Sequence, residues 1–132
     1  MQINDGTVAI CMATYNGSKY LKEQIESIIG QSYKEWILFV RDDGSSDDTV
    51  SILKRYCSYY PEKIIMIEDK SIKGGSSKKN FAAILDFVSK NYDFNYFMFC
   101  DQDDVWLPEK IQICLERIRQ CEQNGNEPIL IH

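Results

Sequence analysis

Short apolar runs alternate with helical patterns along this chain of 132 residues, and few folds accommodate that order. Four runs are almost continuously apolar or small, as in strands that are buried on both faces of a sheet. They are residues 7–13, 36–41, 63–68 and 96–100, and residues 128–132 start a fifth. Strands that alternate with helices predict an α/β fold, with a mostly parallel sheet and helices on both faces.

The segments between the runs place apolar residues at helical spacing. The first helix is predicted over 19–31, with Gly30 as its stop, and the second is predicted to follow a serine cap. The third follows a Gly/Ser/Lys loop, and the fourth begins at Pro108, because proline is favoured in a first turn. The side chains predicted to face the sheet are Leu21, Ile25, Ile28, Ile29, Val50, Leu53, Cys57, Phe81, Ile84, Leu85, Val88, Ile111, Cys114, Leu115 and Ile118.

Composition and charge exclude several classes of protein. The net charge of −5 argues against a nucleic-acid surface, although a metal ion could still bring in a ligand that carries phosphate. The five cysteines form no CxxC pair, so we expect them reduced and mostly buried, in a reducing compartment. The first twenty residues have no signal-peptide pattern, and no apolar run approaches the ~20 residues of a membrane span. We therefore expect a cytoplasmic location, with peripheral contact at the inner face of the cell membrane in the full-length protein.

Acidic residues follow the fourth run, at the end of the sheet where parallel folds bind ligands. Asp101, Asp103 and Asp104 repel one another and cost stability unless a cation joins them. The dipole of the next helix explains one of the three, most naturally Asp104. An all-oxygen set favours Mg²⁺ or Mn²⁺, which leave coordination positions for substrate phosphates. The sequence therefore predicts a metal site that binds a diphosphate.

Polar residues also follow the other runs. Asp42 ends its strand too early to cap a helix, and its carboxylate could accept hydrogen bonds from a base or a ribose. Tyr15 could stack on a base or could simply be partly buried, and both interpretations stay open. Helix capping best explains the four residues 45–48. Three lysines near the Gly-rich loop could contact phosphate or only solvent: Lys73, Lys78 and Lys79.

Residues 8–49 followed by residues 97–111 resemble the start of a family 2 glycosyltransferase with the GT-A fold. The stretch DQDDVWLPEKI, residues 101–111, resembles the subgroup that includes bacterial rhamnosyltransferases and related capsule or O-antigen enzymes. The resemblance implies a Rossmann-like nucleotide-diphospho-sugar transferase fold. It also implies sugar transfer with inversion, usually with a divalent metal, from dTDP-rhamnose or a UDP-hexose to a growing cell-surface polysaccharide or other glycan.

The resemblance assigns a nucleotide role to residues after the first two strands. Thr14, Tyr15 and Asn16 would form the first nucleotide loop, with Tyr15 against the base. Asp42 would bind the base or the ribose, and Asp43 would support it.

Further assignments concern the diphosphate and the metal. Lys79 and Asn80 would lie near the base or the diphosphate. Asp103 would bind Mn²⁺ or Mg²⁺ directly, and Asp101, the first acid of the DxD pair, would reach the ribose or a metal-bound water. Gln102 stands where some relatives have an acid that contacts the ribose.

Inverting transfer also needs a general base, which this family takes from its acceptor half. No residue after Asp104 fits that role: the glutamates lie on the last helix or in a turn, and His132 is the final residue. We expect a fragment of a longer protein, with the base beyond His132 and a glycan or lipid-linked acceptor bound by an absent half. Residues 1–132 would then bind the donor without turnover, and would self-associate through the exposed edge of residues 128–132.

Three other classes of protein remain as alternatives. A receiver-type signalling module has a similar size but needs its acid pair after the first strand, where Thr14, Tyr15 and Asn16 stand here. A phosphotransferase of the haloacid-dehalogenase type matches D-x-D-x-[TV] at residues 101–105, although that motif normally opens the fold. A nucleotide-binding domain without catalysis is the third. The ligand separates them: a sugar nucleotide, an acyl phosphate or a phosphate ester.

Overall fold

The computed structural model describes residues 3–68, 77–101 and 104–123 of the chain. Its elements, in chain order, are β1 (Val8–Thr14), α1 (Ser18–Ile29), β2 (Trp36–Asp42), α2 (Thr49–Tyr59), β3 (Ile64–Met66), α3 (Ser77–Asn91), β4 (Tyr96–Cys100) and α4 (Lys110–Gln123). The predicted fifth strand, Lys73, Gln102 and Asp103 lie outside the described residues. Self-association through that strand therefore stays a prediction.

The four strands form one parallel sheet in the order β3-β2-β1-β4. The chain runs outward from β1 to β3 and then returns to add β4 on the other side of β1. The strand order therefore reverses beside β1, and open α/β sheets bind ligands at the carboxyl edge of such a reversal. The predicted parallel sheet is confirmed.

Two apolar layers enclose the sheet because alternate residues of each strand point to opposite faces. On one face, Ile10, Met12 and Leu38 pack against α1, α2 and α4. On the other face, Cys11 and Phe39 pack against α3. Every residue of β1 is buried, which explains why its sequence is apolar without alternation. The prediction of helices on both faces is confirmed.

The second helix departs from its prediction. The expected serine cap is wrong, because α2 begins at Thr49 and the hydroxyl of Ser45 is used by Asp42 instead. Leu53 is buried as predicted, whereas Val50 and Cys57 are only half-buried.

The other helices keep most of their predicted buried faces, although four predicted inward residues are again only half-buried: Ile29, Phe81, Leu85 and Cys114. Gly30 ends α1 as predicted. The last helix, α4, begins at Lys110, two residues later than the predicted start at Pro108.

All five cysteines are free, as the sequence predicts, but the expectation that most are buried is wrong, because Cys57, Cys114 and Cys121 are only half-buried. Cys11 and Cys100 are buried, and burial raises the pKa of each thiol to about 12. Both thiols are therefore protonated and poorly nucleophilic at neutral pH. Among the residues that the structure describes, no helix is both long and apolar enough to cross a membrane.

Candidate functional site

The carboxyl ends of β1, β2 and β4 lie side by side at one edge of the sheet. Thr14 is paired with Asp42 across β1 and β2, and Met12 is paired with Cys100 across β1 and β4. The segments that follow these three strands therefore meet at this edge, which is where the sequence predicts the ligand site.

Asp42 organises the loop that follows β2. Its Oδ1 accepts hydrogen bonds from the hydroxyls of Thr14, at 2.8 Å, and Ser45. Its Oδ2 accepts the backbone N–H groups of Gly44, at 3.1 Å, and Ser45, at 2.8 Å. Gly44 has φ +85°, which favours glycine. A carboxylate has about four acceptor positions, so a nucleotide that bound Asp42 would have to replace one of these bonds.

Asn16 joins the loop after β1 to the loop after β2. Its N–H donates to the hydroxyl of Ser45 at 2.7 Å, and its side-chain oxygen accepts the N–H of Ser46 at 2.8 Å. Asn16 has φ 48°, in the left-handed region that asparagine tolerates better than most residues. The preceding residue, Tyr15, is 55% exposed. Its ring therefore lies at the surface of the site and is accessible to a stacking partner.

Asp47 links the N-termini of α1 and α2. Its carboxylate accepts the N–H of Thr49 at 3.0 Å and the N–H of Ser18 at 3.2 Å, and it also accepts the hydroxyl of Thr49. These bonds, with that of the Thr49 hydroxyl foremost, lower the pKa of Asp47 to about 2. The N-cap of α2 is Asp48, whose side chain makes no capping bond. Of the four residues 45–48 predicted to cap, only Asp47 accepts N–H groups at the helix N-termini, whereas Ser45 and Ser46 bond to Asp42 and Asn16.

Arg41 and Asp43 point to the opposite face of β2 from Asp42, toward α3. The buried Arg41 donates to the side-chain oxygen of Asn80 at 2.8 Å, and its Nη1 lies 3.8 Å from a carboxylate oxygen of Asp43. Asn80 returns a hydrogen bond to the carbonyl of Arg41 at 3.1 Å, and only 2% of it is exposed. Asn80 therefore lies under the site, and Lys79 beside it is exposed.

Asp101 is exposed where β4 ends, and its carbonyl accepts the N–H of Asp104 at 3.1 Å. The carboxylate of Asp104 accepts the indole N–H of Trp106 at 3.1 Å and lies 3.9 Å from the ammonium of Lys110. Asp104 thus has partners that account for it without a metal. Within residues 3–68, 77–101 and 104–123, no three acidic, cysteine or histidine side chains are grouped as a metal site. Asp101 supplies the hard oxygen donor that suits Mg²⁺ or Mn²⁺, while Gln102 and Asp103 lie outside the described residues.

The clefts on the described surface include the following two. One, of about 380 Å³, borders the Asp42 loop and includes Lys54 and Glu68 in its lining. The other, of about 560 Å³, surrounds Trp106 and Pro108 and is largely apolar. The first cleft adjoins the candidate site.

Three polar residues of functional interest escape the sequence analysis: Gln24 and Ser27 on α1, and Gln31 just after it. Each contacts the segment that follows β4. The available signal was weak: two glutamines seven residues apart on the side of α1 that also carries its apolar residues.

Comparison with known proteins identifies the family. The chain matches the family model described as Glycosyl transferase family 2 over residues 9–125. It is 37% identical over 105 residues to the dTDP-rhamnosyl transferase RfbG of Shigella flexneri, a match that covers 80% of this chain and 36% of RfbG. This chain thus spans about a third of the length of that relative.

Solved structures agree with this result. S. aureus TarS 1-349 in complex with UDP-GlcNAc has a TM-score of 0.64 at 25% identity, over 86% of this chain and 31% of TarS. The mannosyltransferase PcManGT from Pyrobaculum calidifontis, in complex with GDP-Man and Mn²⁺, has a TM-score of 0.60 at 22% identity, over 75% of this chain and 28% of PcManGT. The chain has the GT-A fold and belongs to glycosyl transferase family 2.

Proposed function

We propose that residues 1–132 form the donor-binding part of an inverting glycosyltransferase. The enzyme transfers a sugar from a nucleoside diphosphate to a growing cell-surface polysaccharide or another glycan or lipid-linked acceptor. One observation carries the proposal: the strand ends bring an exposed tyrosine, a second carboxylate after β2 and an exposed carboxylate after β4 to the edge where the strand order reverses. These are Tyr15, Asp43 and Asp101.

The nucleoside is assigned to the loops after β1 and β2. Tyr15 stacks on the base, since its ring is exposed beside the loop that Asn16 closes. Asp43, rather than Asp42, makes the direct polar contact, because four protein donors already occupy Asp42. Thr14 and Asp42 hold the loop in shape, and Asn80 acts indirectly through Arg41.

The diphosphate is assigned to the edge beside β4. Asp103, with Asp101, holds a Mg²⁺ or Mn²⁺ ion, Gln102 contacts the ribose and Lys79 lies near the phosphates. A divalent ion at a leaving diphosphate stabilises its growing negative charge. A chain with a net charge of −5 needs such a cation, or basic side chains, to bind a diphosphate. The Mn²⁺ in the PcManGT complex supports this choice.

The similar proteins suggest which donors to test first. The three similar proteins named above carry dTDP-rhamnosyl, UDP-GlcNAc and GDP-Man in their descriptions. We propose dTDP-rhamnose or a UDP-hexose as the first donors to test. The free cysteines suit the cytoplasm, with peripheral attachment to the inner face of the membrane in the full-length protein.

Two alternatives lose their support. Membership of glycosyl transferase family 2 argues against a receiver module and against a phosphotransferase of the haloacid-dehalogenase type. A receiver would also need acids after β1, where the structure has Tyr15 and Asn16. A nucleotide-binding domain without catalysis remains the second candidate, because it would use the same nucleotide site as a glycosyltransferase.

A thermal-shift panel tests the donor site. UDP-, dTDP- and GDP-sugars are added with Mn²⁺ or with EDTA, and a ligand at about 100 times its Kd should stabilise the fold by about 2.7 kcal/mol. Tyr15→Ala should weaken binding by about 1–3 kcal/mol through lost stacking. Tyr59→Ala is the matched control, since Tyr59 is exposed at the end of α2. A chain that no nucleotide stabilises would contradict the proposal.

A further inference from the structure

Polar side chains of α1 and of the residues just after it contact the segment that follows β4. We call Gln24, Ser27 and Gln31 the α1 polar row. Gln24 is 1% exposed and Gln31 is 0% exposed. A buried amide costs stability unless it is hydrogen-bonded, so the partners of these two residues explain why glutamine stands there.

Gln24 bonds to Asp101, the residue that directly follows β4 at the candidate metal site. Its side-chain nitrogen donates to the carbonyl of Asp101 and lies 3.2 Å from the sulfur of Cys100. The N–H of Asp104 donates to the same Asp101 carbonyl at 3.1 Å. One carbonyl oxygen at the end of β4 therefore accepts hydrogen bonds from both Asp104 and Gln24, and joins this end of the strand to α1.

The rest of the row holds the far end of the segment. The hydroxyl of Ser27 accepts the N–H of Trp106 at 3.0 Å. Gln31 donates to the carbonyl of Leu107 at 2.6 Å and accepts the N–H of Ile111 at 3.0 Å. The two glutamines thus secure opposite ends: Gln24 lies at the candidate metal site, and Gln31 lies at the start of α4.

We propose that Gln24 is a positioning residue. It holds Asp101 in place and thereby supports the gain in nucleotide affinity that a divalent metal produces. Through the Asp101 carbonyl it fixes the main chain that carries the Asp101 carboxylate, while Gln31 only secures α4. The inference rests on the proposed function above. Groups that orient metal ligands without touching the metal typically contribute about 10–100-fold to metal affinity.

Two matched variants of the whole chain test this role. Gln24→Met keeps the length of the side chain but removes its donor, and Gln31→Met removes a second buried amide at the far end. Binding of UDP and dTDP is measured by calorimetry in Mn²⁺ and in EDTA, after thermal melts have established how far each variant is destabilised. In Gln24→Met we expect the gain in affinity from Mn²⁺ to fall about tenfold or more, with the affinity in EDTA unchanged. Gln31→Met should keep that gain.

Each other outcome counts against the inference. Equal losses in both variants would show that the row is merely structural, and a folded Gln24→Met with the full gain would refute the positioning role. If Gln24→Met does not fold, Gln24→Asn decides, because it keeps an amide donor that is one methylene too short to hold the Asp101 carbonyl in the same place. A loss of the gain from Mn²⁺ then supports the role, and an unchanged gain overturns it. A parent chain that gains nothing from Mn²⁺ would overturn the metal part of the proposed function and this inference with it.

Discussion

Asp42 and Asp43 are adjacent carboxylates with different surroundings, because neighbouring residues at a strand end point to opposite faces. Asp42→Ala removes the two carboxylate oxygens that accept four hydrogen bonds at the loop after β2. Its free energy of unfolding should fall by about 2 kcal/mol or more, measured by denaturant titration. Asp43→Ala leaves the bonds of Asp42 in place but removes a carboxylate 3.8 Å from the buried Arg41, so thermal melts must first establish that this variant is folded. The folded variant should weaken nucleotide binding about tenfold, in Mn²⁺ and in EDTA alike.

The opposite result would support the expectation from the sequence that Asp42 contacts the nucleotide directly. If Asp43→Ala binds UDP and dTDP like the parent, and Asp42→Ala is folded but does not bind, then Asp42 is the direct contact. Sequence alone could not separate the two, because the distinction lies in where Thr14, Gly44 and Ser45 direct their donors.

The carboxylate of Asp47 makes the fold sensitive to acid. Hydrogen bonds, led by that of the Thr49 hydroxyl, lower its folded pKa to about 2, whereas an unfolded aspartate has a pKa near 3.9. Its contribution to stability is therefore complete above about pH 4 and is lost as the pH falls toward 2. Asp47→Asn should lower Tm at pH 7, and the difference in Tm from the parent should shrink between pH 4 and pH 2.

A control separates this effect from the loss of any surface charge. Asp86→Asn removes an exposed ion pair with Lys90 on α3, and such pairs contribute little to stability. It should change Tm only slightly at pH 7. A difference between Asp47→Asn and the parent that stays constant down to pH 2 would contradict the proposed linkage.

At the scale of elements, one buried pair attaches α3 to the end of β2. Arg41 is 4% exposed, and Asn80 meets both its guanidinium and its carbonyl. Asn80→Leu would remove a hydrogen bond from a buried cation, so we expect a loss of about 1.5–3 kcal/mol in the free energy of unfolding. Asn91→Leu, at the exposed end of α3, is the control, and its loss should be much smaller. Equal losses of unfolding free energy in the two variants would show that the bond between Asn80 and Arg41 contributes no more than an exposed hydrogen bond.

The elements themselves were largely predictable because burial on both faces leaves a continuous apolar run. The fourth strand was predicted over residues 96–100 and is found at Tyr96–Cys100. The inward face of α2 was less predictable, because its buried Thr49 and Tyr56 are polar. The Thr49 hydroxyl accepts the N–H of Gly17, and the Tyr56 hydroxyl donates to Glu26, so tertiary partners make their burial possible.

The same limit applies to the candidate site. The strand-end segments could be located from sequence because a parallel sheet gathers its carboxyl ends at one edge. The roles of Gln24 and Asn80 could not, because a hydrophobic pattern does not say which carbonyl or guanidinium a buried amide will meet. Chain order also does not indicate that α1 lies beside the segment after β4.

At the scale of the whole molecule, we expect the 132-residue chain to bind its donor and not to transfer the sugar. Inverting transfer needs a general base worth about 10²–10⁴-fold in rate, and an acceptor held in place. Among the described acids after β4, Asp104 is held by Trp106 and Lys110, and Glu116 accepts a hydrogen bond from Gln112 on the exposed side of α4. Because these partners already engage both carboxylates, we expect neither to act as the general base.

The decisive measurement combines binding and turnover in one preparation. Calorimetry with UDP and dTDP in Mn²⁺ first shows that the donor site is intact. Release of nucleoside diphosphate from UDP-hexoses and dTDP-rhamnose is then followed with and without glycan acceptors, and we expect no increase when the acceptor is added. Acceptor-dependent release by a chain that binds the donor would refute the claim that residues 1–132 bind the donor without transferring the sugar. It would place the catalytic base among these residues.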